Sequence, residues 1–161
     1  MYPDTFRYEV REKEFSSEMC GAYRNGHFTG VLTVVMKLLN IIRPSRAYFG
    51  EKDYQQYLLI RDMVEAFFLE VEIIPCPIVR DPDGLALSSR NMNLSDSARE
   101  KAPLLHKLIR SKGSDNELKL ELTKEGFEVE YVQTKFDRRF VAVRIGTNPT
   151  VRLIDNVALI E

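Results

Sequence analysis

Gly50-Glu51-Lys52-Asp53 packs a residue without a side chain, an amine and two carboxylates into four positions. At the carboxyl end of a parallel strand, backbone N–H groups and the positive end of the following helix converge, which is where an α/β protein binds anionic ligands. There Gly50 permits close backbone approach, Lys52 neutralises phosphate, and Asp53 either caps the helix or accepts hydrogen bonds from ribose hydroxyls. Taken in isolation, the four residues read more readily as a capped surface turn with solvated charges, and spacing alone does not decide between the two. Gln55 and Gln56 follow. An uncharged amide facing a crevice can hydrogen-bond a small hydroxy acid without burying a charge, and only one of the two can do so, because adjacent helix positions diverge by about 100°. Ser88-Ser89-Arg90-Asn91 offers hydroxyls, a guanidinium fork and an amide, a set suited to gripping a polyphosphate, though also an ordinary turn. Arg24 and His27 around Gly26 form a second candidate anion-binding pair, set against a packing or capping role for the histidine. His106, among Lys101, Lys107 and Arg110, reads as part of a solvated helix face. No Cys or His cluster has metal-ligand spacing, and the P-loop, dinucleotide and hydrolase-elbow fingerprints are absent.

The elements that must position these residues follow from periodicity. Residues 1 to 28 carry little pattern and several turn formers. From Thr29, apolar residues at Val31, Val34, Val35, Leu38, Leu39 and Ile42 recur at helical spacing before Pro44, predicting a helix with one buried face. Ala47 to Phe49 reads as a short buried strand, Gly50 to Lys52 as a turn, and Asp53 as the N-cap of a helix carrying Tyr57, Ile60, Met63, Val64 and Phe67. Val71 to Ile74 then reads as a second strand ended by Pro75 and Pro77. Strand, turn, helix and strand within about 28 residues make a βαβ unit with parallel strands. A boundary is expected near Ile78, giving a nucleotide-binding domain over 1–78 and an α+β lobe over 79–161. In the lobe, one helix runs from the Ser95 caps through Ile109 to a stop at Gly113, and a short one covers Asn116 to Thr123. Three strands, Phe127 to Val132, Arg139 to Ile145 and Val151 to Ile160, turn at Asp137-Arg138 and at Gly146 to Pro149.

The 161 residues are 44% apolar with a formal net charge of −1, so no global field favours nucleic acid or an anionic membrane. The longest apolar run, Val31 to Ile42, is broken by Lys37 and Asn40 and falls short of the roughly 20 residues a membrane span needs. The charged N-terminal stretch does not read as a secretory signal, so a cytoplasmic location is expected, and Cys20 and Cys76 read as free thiols.

Taken together, GHFTGVLTVVMKLLNIIRP, FGEKDYQQYLLIRDMV, PIVRDPDGLALSSRN and RLIDNVAL resemble, in order and spacing, the later part of the pantothenate synthetases, also called pantoate-β-alanine ligases. The resemblance covers almost the whole chain. It implies an α/β fold: the second half of a Rossmann-like parallel sheet domain, of the nucleotidyltransferase and class I synthetase kind, followed by a small α+β C-terminal lobe. It implies that pantoate and ATP with Mg²⁺ form a pantoyl adenylate, from which β-alanine displaces AMP to give the coenzyme A precursor pantothenate. On the matching positions it implies that Gly50, Glu51, Lys52 and Asp53 contact ATP, that Gln56 binds pantoate, and that Val79 meets adenine through its backbone. Leu87, Ser88, Ser89 and Arg90 correspond to a mobile phosphate-gripping loop, analogous to the signature loop of class I aminoacyl-tRNA synthetases. Lys52, Ser88 and Arg90 are the residues expected to act on the reacting phosphates, with Tyr2, Arg24 and His27 nearby; the Mg²⁺ ligands stay unassigned. The family's upstream half, with a His-x-Gly-His motif and a second pantoate-binding glutamine, has no counterpart here. Residues 1–78 supply only about two parallel strands where such a sheet ordinarily has five or six. Three alternatives follow, a fragment of a longer polypeptide, a missing half supplied by another chain, or a truncated product without full activity, of which the first is expected. A homodimer is the expected assembly, and weak or absent catalysis is expected of this chain alone. Leu87, where many relatives carry Met, and a shortened stretch from Gly113 to Gly126 depart from the pattern. Two other readings stay open: a non-catalytic nucleotide-binding or dimerisation module, and another adenylate-forming nucleotidyltransferase.

Overall fold

Gly26, at φ +73°, turns the chain into the longest helix of the protein, a left-handed step that a side chain would resist. The structure is a computed structural model and describes residues 7–159, so Tyr2 lies outside the described residues. The chain divides into two units, Met1–Pro77 and Ile78–Glu161.

In the first unit a 3₁₀ turn at Phe15–Ser17 and the single-turn helix α1 (Cys20–Tyr23) lead to α2 (His27–Ile42). The buried stripe of α2 differs from the expected one. Phe28, Leu32, Thr33 and Leu39 are buried, Val31, Val34, Val35 and Leu38 are half-buried, and Ile42 is exposed. The helix is apolar over most of its circumference, so periodicity underdetermines which face is covered. Thr33 shows how a polar residue fits inside: its hydroxyl donates to the Thr29 carbonyl and accepts from the Val10 N–H. Strand β1 (Arg46–Gly50), helix α3 (Tyr54–Ala66) and strand β2 (Glu72–Cys76) then form the expected parallel βαβ unit, with Ala47 opposite Ile73 and Gly50 opposite Cys76. Tyr57, Ile60, Met63 and Val64 are buried, but Phe67 lies beyond the helix end and is exposed. There Phe68 takes φ +53° and the Leu69 N–H reaches back to the Val64 carbonyl, a Schellman-type stop achieved without glycine. Two strand expectations are corrected. β2 continues through Pro75, which pairs opposite Phe49 and needs no donor on the outer side of an edge strand. β1 is not buried: its positions alternate, and Tyr48 is 63% exposed, because among the described residues β1 pairs only with β2.

The second unit closes on itself. Helices α4 (Asp96–Lys101), α5 (Leu104–Ile109) and α6 (Asp115–Lys124) pack on an antiparallel sheet ordered β3 (Glu128–Lys135), β4 (Arg138–Ile145), β5 (Val151–Ala158). The single helix expected from Ser95 to Gly113 is two, since Pro103 has no N–H to extend α4 and opens a new turn instead. Ser95 does cap, accepting from the Ala98 N–H, and Ser114 and Glu117 form a reciprocal capping box on α6. Leu105, Ile109, Leu118, Leu122, Phe127, Val141, Val143 and Leu153 form the core. Arg139 is buried among them; its guanidinium donates to the carbonyls of Ile109, Ser111 and Gly113 and to Asp115, stapling the α5–α6 connection. The β3–β4 turn sits one residue earlier than expected, with Phe136 and Asp137 at φ +53° and +52°, the twist a two-residue hairpin imposes.

Candidate functional site

Gly50 ends β1 in extended conformation, at φ −68° and ψ 130°, so the backbone does not require glycine there. A Cβ built on it would meet nothing within 4 Å, which leaves open space beside the strand end. Glu51–Asp53 form a 3₁₀ turn rather than a simple loop, and α3 starts directly from it. This corrects the reading of Asp53 as a capping side chain. It occupies the N-cap position, but its ψ of 55° lies outside the extended geometry a cap needs, and its carboxylate makes no capping bond. Asp53 instead lies 3.9 Å from the Lys52 ammonium, whose side chain is only 17% exposed.

The two glutamines separate as helix geometry demands. Gln55 is buried, and its amide is fully committed: the oxygen accepts from the Cys20 N–H at 3.1 Å, and the nitrogen donates to the carbonyls of Phe15 at 2.8 Å and Glu18 at 2.9 Å. It ties the segment before α2 to α3. Gln56 is half-buried, and no hydrogen bond engages its amide among the described residues. Arg24 and His27 do come together, with the guanidinium 2.7 Å from His27 Nε2. A guanidinium only donates, so that ring nitrogen is the acceptor in this pair. A polar cleft of about 510 Å³ opens beside Gly26, lined by acidic Glu9 and Glu12 as well as Arg11 and Lys13, so it carries no field of one sign.

In the second unit the chain forms a small hairpin before residues 87–90. Arg80 bridges to Ala86, the Asp81 N–H donates to the Leu85 carbonyl, and the Leu87 N–H donates to the Val79 carbonyl at 3.0 Å. With its carbonyl engaged, Val79 keeps its N–H as the backbone group able to donate outward. Leu87 is exposed, and Ser88, extended, caps a 3₁₀ turn at Ser89–Asn93 by accepting from the Arg90 N–H at 3.2 Å. The segment is thus a capped turn, not an irregular loop. Ser89 and Arg90 are exposed, and no described residue hydrogen-bonds the Arg90 guanidinium. Asn91 faces inward: its amide nitrogen donates to the Ala86 carbonyl, and its buried oxygen has no partner.

Sequence reasoning missed what holds this hairpin. Arg80 makes a two-pronged pair with Asp155 of β5, at 2.7 and 2.8 Å, and also donates to the Gly84 carbonyl. His106 is not on a solvated face. Its Nδ1 is buried 3.4 Å from Asp155 Oδ2, off the line of a good hydrogen bond. Burial and the neighbouring charges of Arg80 and Arg110 hold its pKa below the ordinary 6.5, against the pull of Asp155. Arg80 and Asp155 stand 75 positions apart, and no local periodicity signals such a pairing. Among the described residues no three His, Cys, Asp or Glu side chains converge to hold a metal ion.

The family profile described as pantoate-beta-alanine ligase matches residues 1–158. The chain is similar to a pantothenate synthetase of Bdellovibrio bacteriovorus, 53% identical over 159 residues, covering 99% of this chain and 62% of the relative. One of Legionella pneumophila strain Lens is 50% identical over the same shares. A solved Francisella tularensis pantoate-beta-alanine ligase, complexed with beta-gamma ATP and beta-alanine, superposes with a TM-score of 0.89 at 42% identity, covering 98% of this chain and 60% of that one. The pantothenate synthetase of Thermus thermophilus gives 0.88 at 38% identity, covering 100% and 67%. The chain therefore spans about three fifths of the length of the curated relatives it matches.

Proposed function

The chain belongs to the pantoate-β-alanine ligase family, and on that ground we propose that it takes part in the ATP-dependent condensation of pantoate with β-alanine to pantothenate, in the cytoplasm. The pantoate carboxylate attacks the α-phosphorus of ATP, breaking the bond to pyrophosphate and forming an acyl adenylate. The β-alanine amine then attacks the acyl carbon, AMP leaves with the bonding electrons, and the amine loses a proton. No protein nucleophile is needed, so positioning and charge stabilisation supply the catalysis.

In this reading Gly50, Glu51, Lys52 and Asp53 contact ATP at the end of β1, and Val79 donates its N–H to adenine. Leu87, Ser88, Ser89 and Arg90 hold the polyphosphate, with Lys52 and Arg90 compensating charge on the leaving pyrophosphate. Arg24 and His27 lie at the periphery of the same site. Residues 1–78 act as part of a nucleotide-binding domain and 79–161 as its lid. The Mg²⁺ that accompanies ATP in this reading has no ready-made protein cage among the described residues, and no step here is routed through it. The observation that carries the reading is the division of labour between the glutamines: Gln55 is spent inside the fold, whereas Gln56, on the helix that follows the strand-end turn, keeps an uncommitted amide for a hydroxy acid.

Further strands from the part of the family's length not spanned here complete the sheet at the open edge of β1. The test is AMP and pantothenate formation by the 161-residue chain, with and without that remaining part supplied. Product only with both supports the reading; full activity of this chain alone contradicts its dependence on the other part. A second reading rests on exposed Ile41, Ile42 and Tyr48, which suit a homodimer surface. Sedimentation distinguishes it, since a stable oligomer that takes up no ATP would favour an interaction module.

A further inference from the structure

The capped turn at Ser88 hangs from the Val79–Leu87 hairpin, and besides Leu85, which is buried in the core, two polar contacts fasten the hairpin to the rest of its unit. At the solvent side, Arg99 of α4 reaches Asp83 at 2.6 Å and Asp81 at 3.2 Å. All three side chains are substantially exposed, so the pairing contributes little. On the inner side, Asp155, 3% exposed, is saturated. One carboxylate oxygen accepts from Arg80 and from the Asn156 N–H, and the other accepts from Arg80 and lies beside His106. The same Arg80 nitrogen that meets Asp155 also holds the Gly84 carbonyl. Gly84 sits at φ +93°, where a Cβ would come within 3.0 Å of the His106 ring. Hairpin, β5 and α5 are thereby locked together at one buried point, and a fork of two charged hydrogen bonds fixes orientation as well as distance.

We infer that Asp155, acting through Arg80, is a positioning residue for the segment 87–90: it sets the hairpin from which that segment presents Ser88, Ser89 and Arg90 to a polyphosphate. The inference rests on the reading of 87–90 as phosphate-binding. In this inference Arg80 and Asp155 act through the hairpin rather than on the ligand. Their loss loosens the hairpin, which keeps Leu85 in the hydrophobic core, and leaves the helix and strand residues of that core in place.

Asp155→Asn and Arg80→Lys test this in the whole chain; the second keeps the positive charge and removes the fork, in case the first does not fold. Amide exchange should rise about tenfold at Leu87 and Asn91 in either variant, with Val141 and Val143 unmoved. Arg99→Ala should move none of them. Calorimetric titration should show ATP weakened about tenfold more than AMP, because AMP feels only the loosening around Val79, whereas ATP also loses the segment's hold on its longer phosphate chain. Unchanged exchange at Leu87 in both variants overturns the anchoring. Equal weakening of ATP and AMP overturns positioning in favour of a merely structural role. If the wild type binds ATP no more tightly than AMP while exchange still rises, the phosphate-binding reading of 87–90 falls and the anchoring stands.

Discussion

The two units solve the burial of a sheet in opposite ways. In the second, β4 is flanked on both sides, and Arg139 through Val143 are buried in unbroken succession, with Val141 and Val143 in the core that the helices cover. In the first, β1 has one neighbour and alternates between exposed and half-buried positions along its length. A parallel sheet is ordinarily covered on both faces, so the openness of β1 is, in the function proposed above, that of a sheet completed by further strands, whereas the sheet of the second unit already packs against its own helices.

That contrast predicts unequal sensitivity to truncation. Leu122→Ala removes a fully buried side chain from the closed core and should cost about 3 kcal/mol, read by urea unfolding followed at β4 amides. Tyr48→Ala, on the open strand, should stay within about 0.5 kcal/mol; a large loss would mean that β1 is covered in solution by a second copy. The glutamines sharpen the comparison within the first unit. Gln55→Leu removes the acceptor of the Cys20 N–H and one of the two donors to each of the Phe15 and Glu18 carbonyls, and should destabilise that unit by about 2 kcal/mol. Gln56→Leu should leave stability within about 0.5 kcal/mol while abolishing pantoate binding, measured by calorimetry.

The closed unit should also respond to acid through His106. Its pKa is lower in the folded protein than the ordinary 6.5, so the unfolded chain binds the proton more readily. The stabilisation is fully present above 6.5 and is lost as pH falls from there through the folded value. Unfolding free energy measured across that window should slope downward toward acid, and His106→Gln should flatten the slope; an unchanged slope would assign it to other groups. A small stabilising effect is expected at the β3–β4 turn. Asp137→Gly relieves a left-handed residue and should stabilise the second unit by about 0.5–1 kcal/mol in thermal melts.

What is legible in the sequence follows local physics. The β1–α3–β2 unit, the Ser95 cap and the three strands of the second sheet all announce themselves by period and by capping chemistry. Where several local answers are equally cheap, the sequence misleads. An all-round apolar α2 does not say which stripe is buried, and Asp53 beside a helix start looks like a cap until the 3₁₀ turn rotates it away. Pro103 hides inside an apolar run that it splits. The Arg80–Asp155–His106 cluster lies beyond any local pattern, because its three members come from segments far apart in the sequence. Of the proposed site, residue identities are readable from motif order; that Gln55 is structural while Gln56 is uncommitted requires the fold.

The binding of the nucleotide by residues 50–53 is the central claim. Titration of ATP into this chain by calorimetry, wild type against Lys52→Ala, tests it most directly. Measurable binding is expected, weakened about tenfold or more in the variant, about 1.4 kcal/mol, with the fold unchanged by exchange at α3. Equal affinities in the two proteins would contradict it.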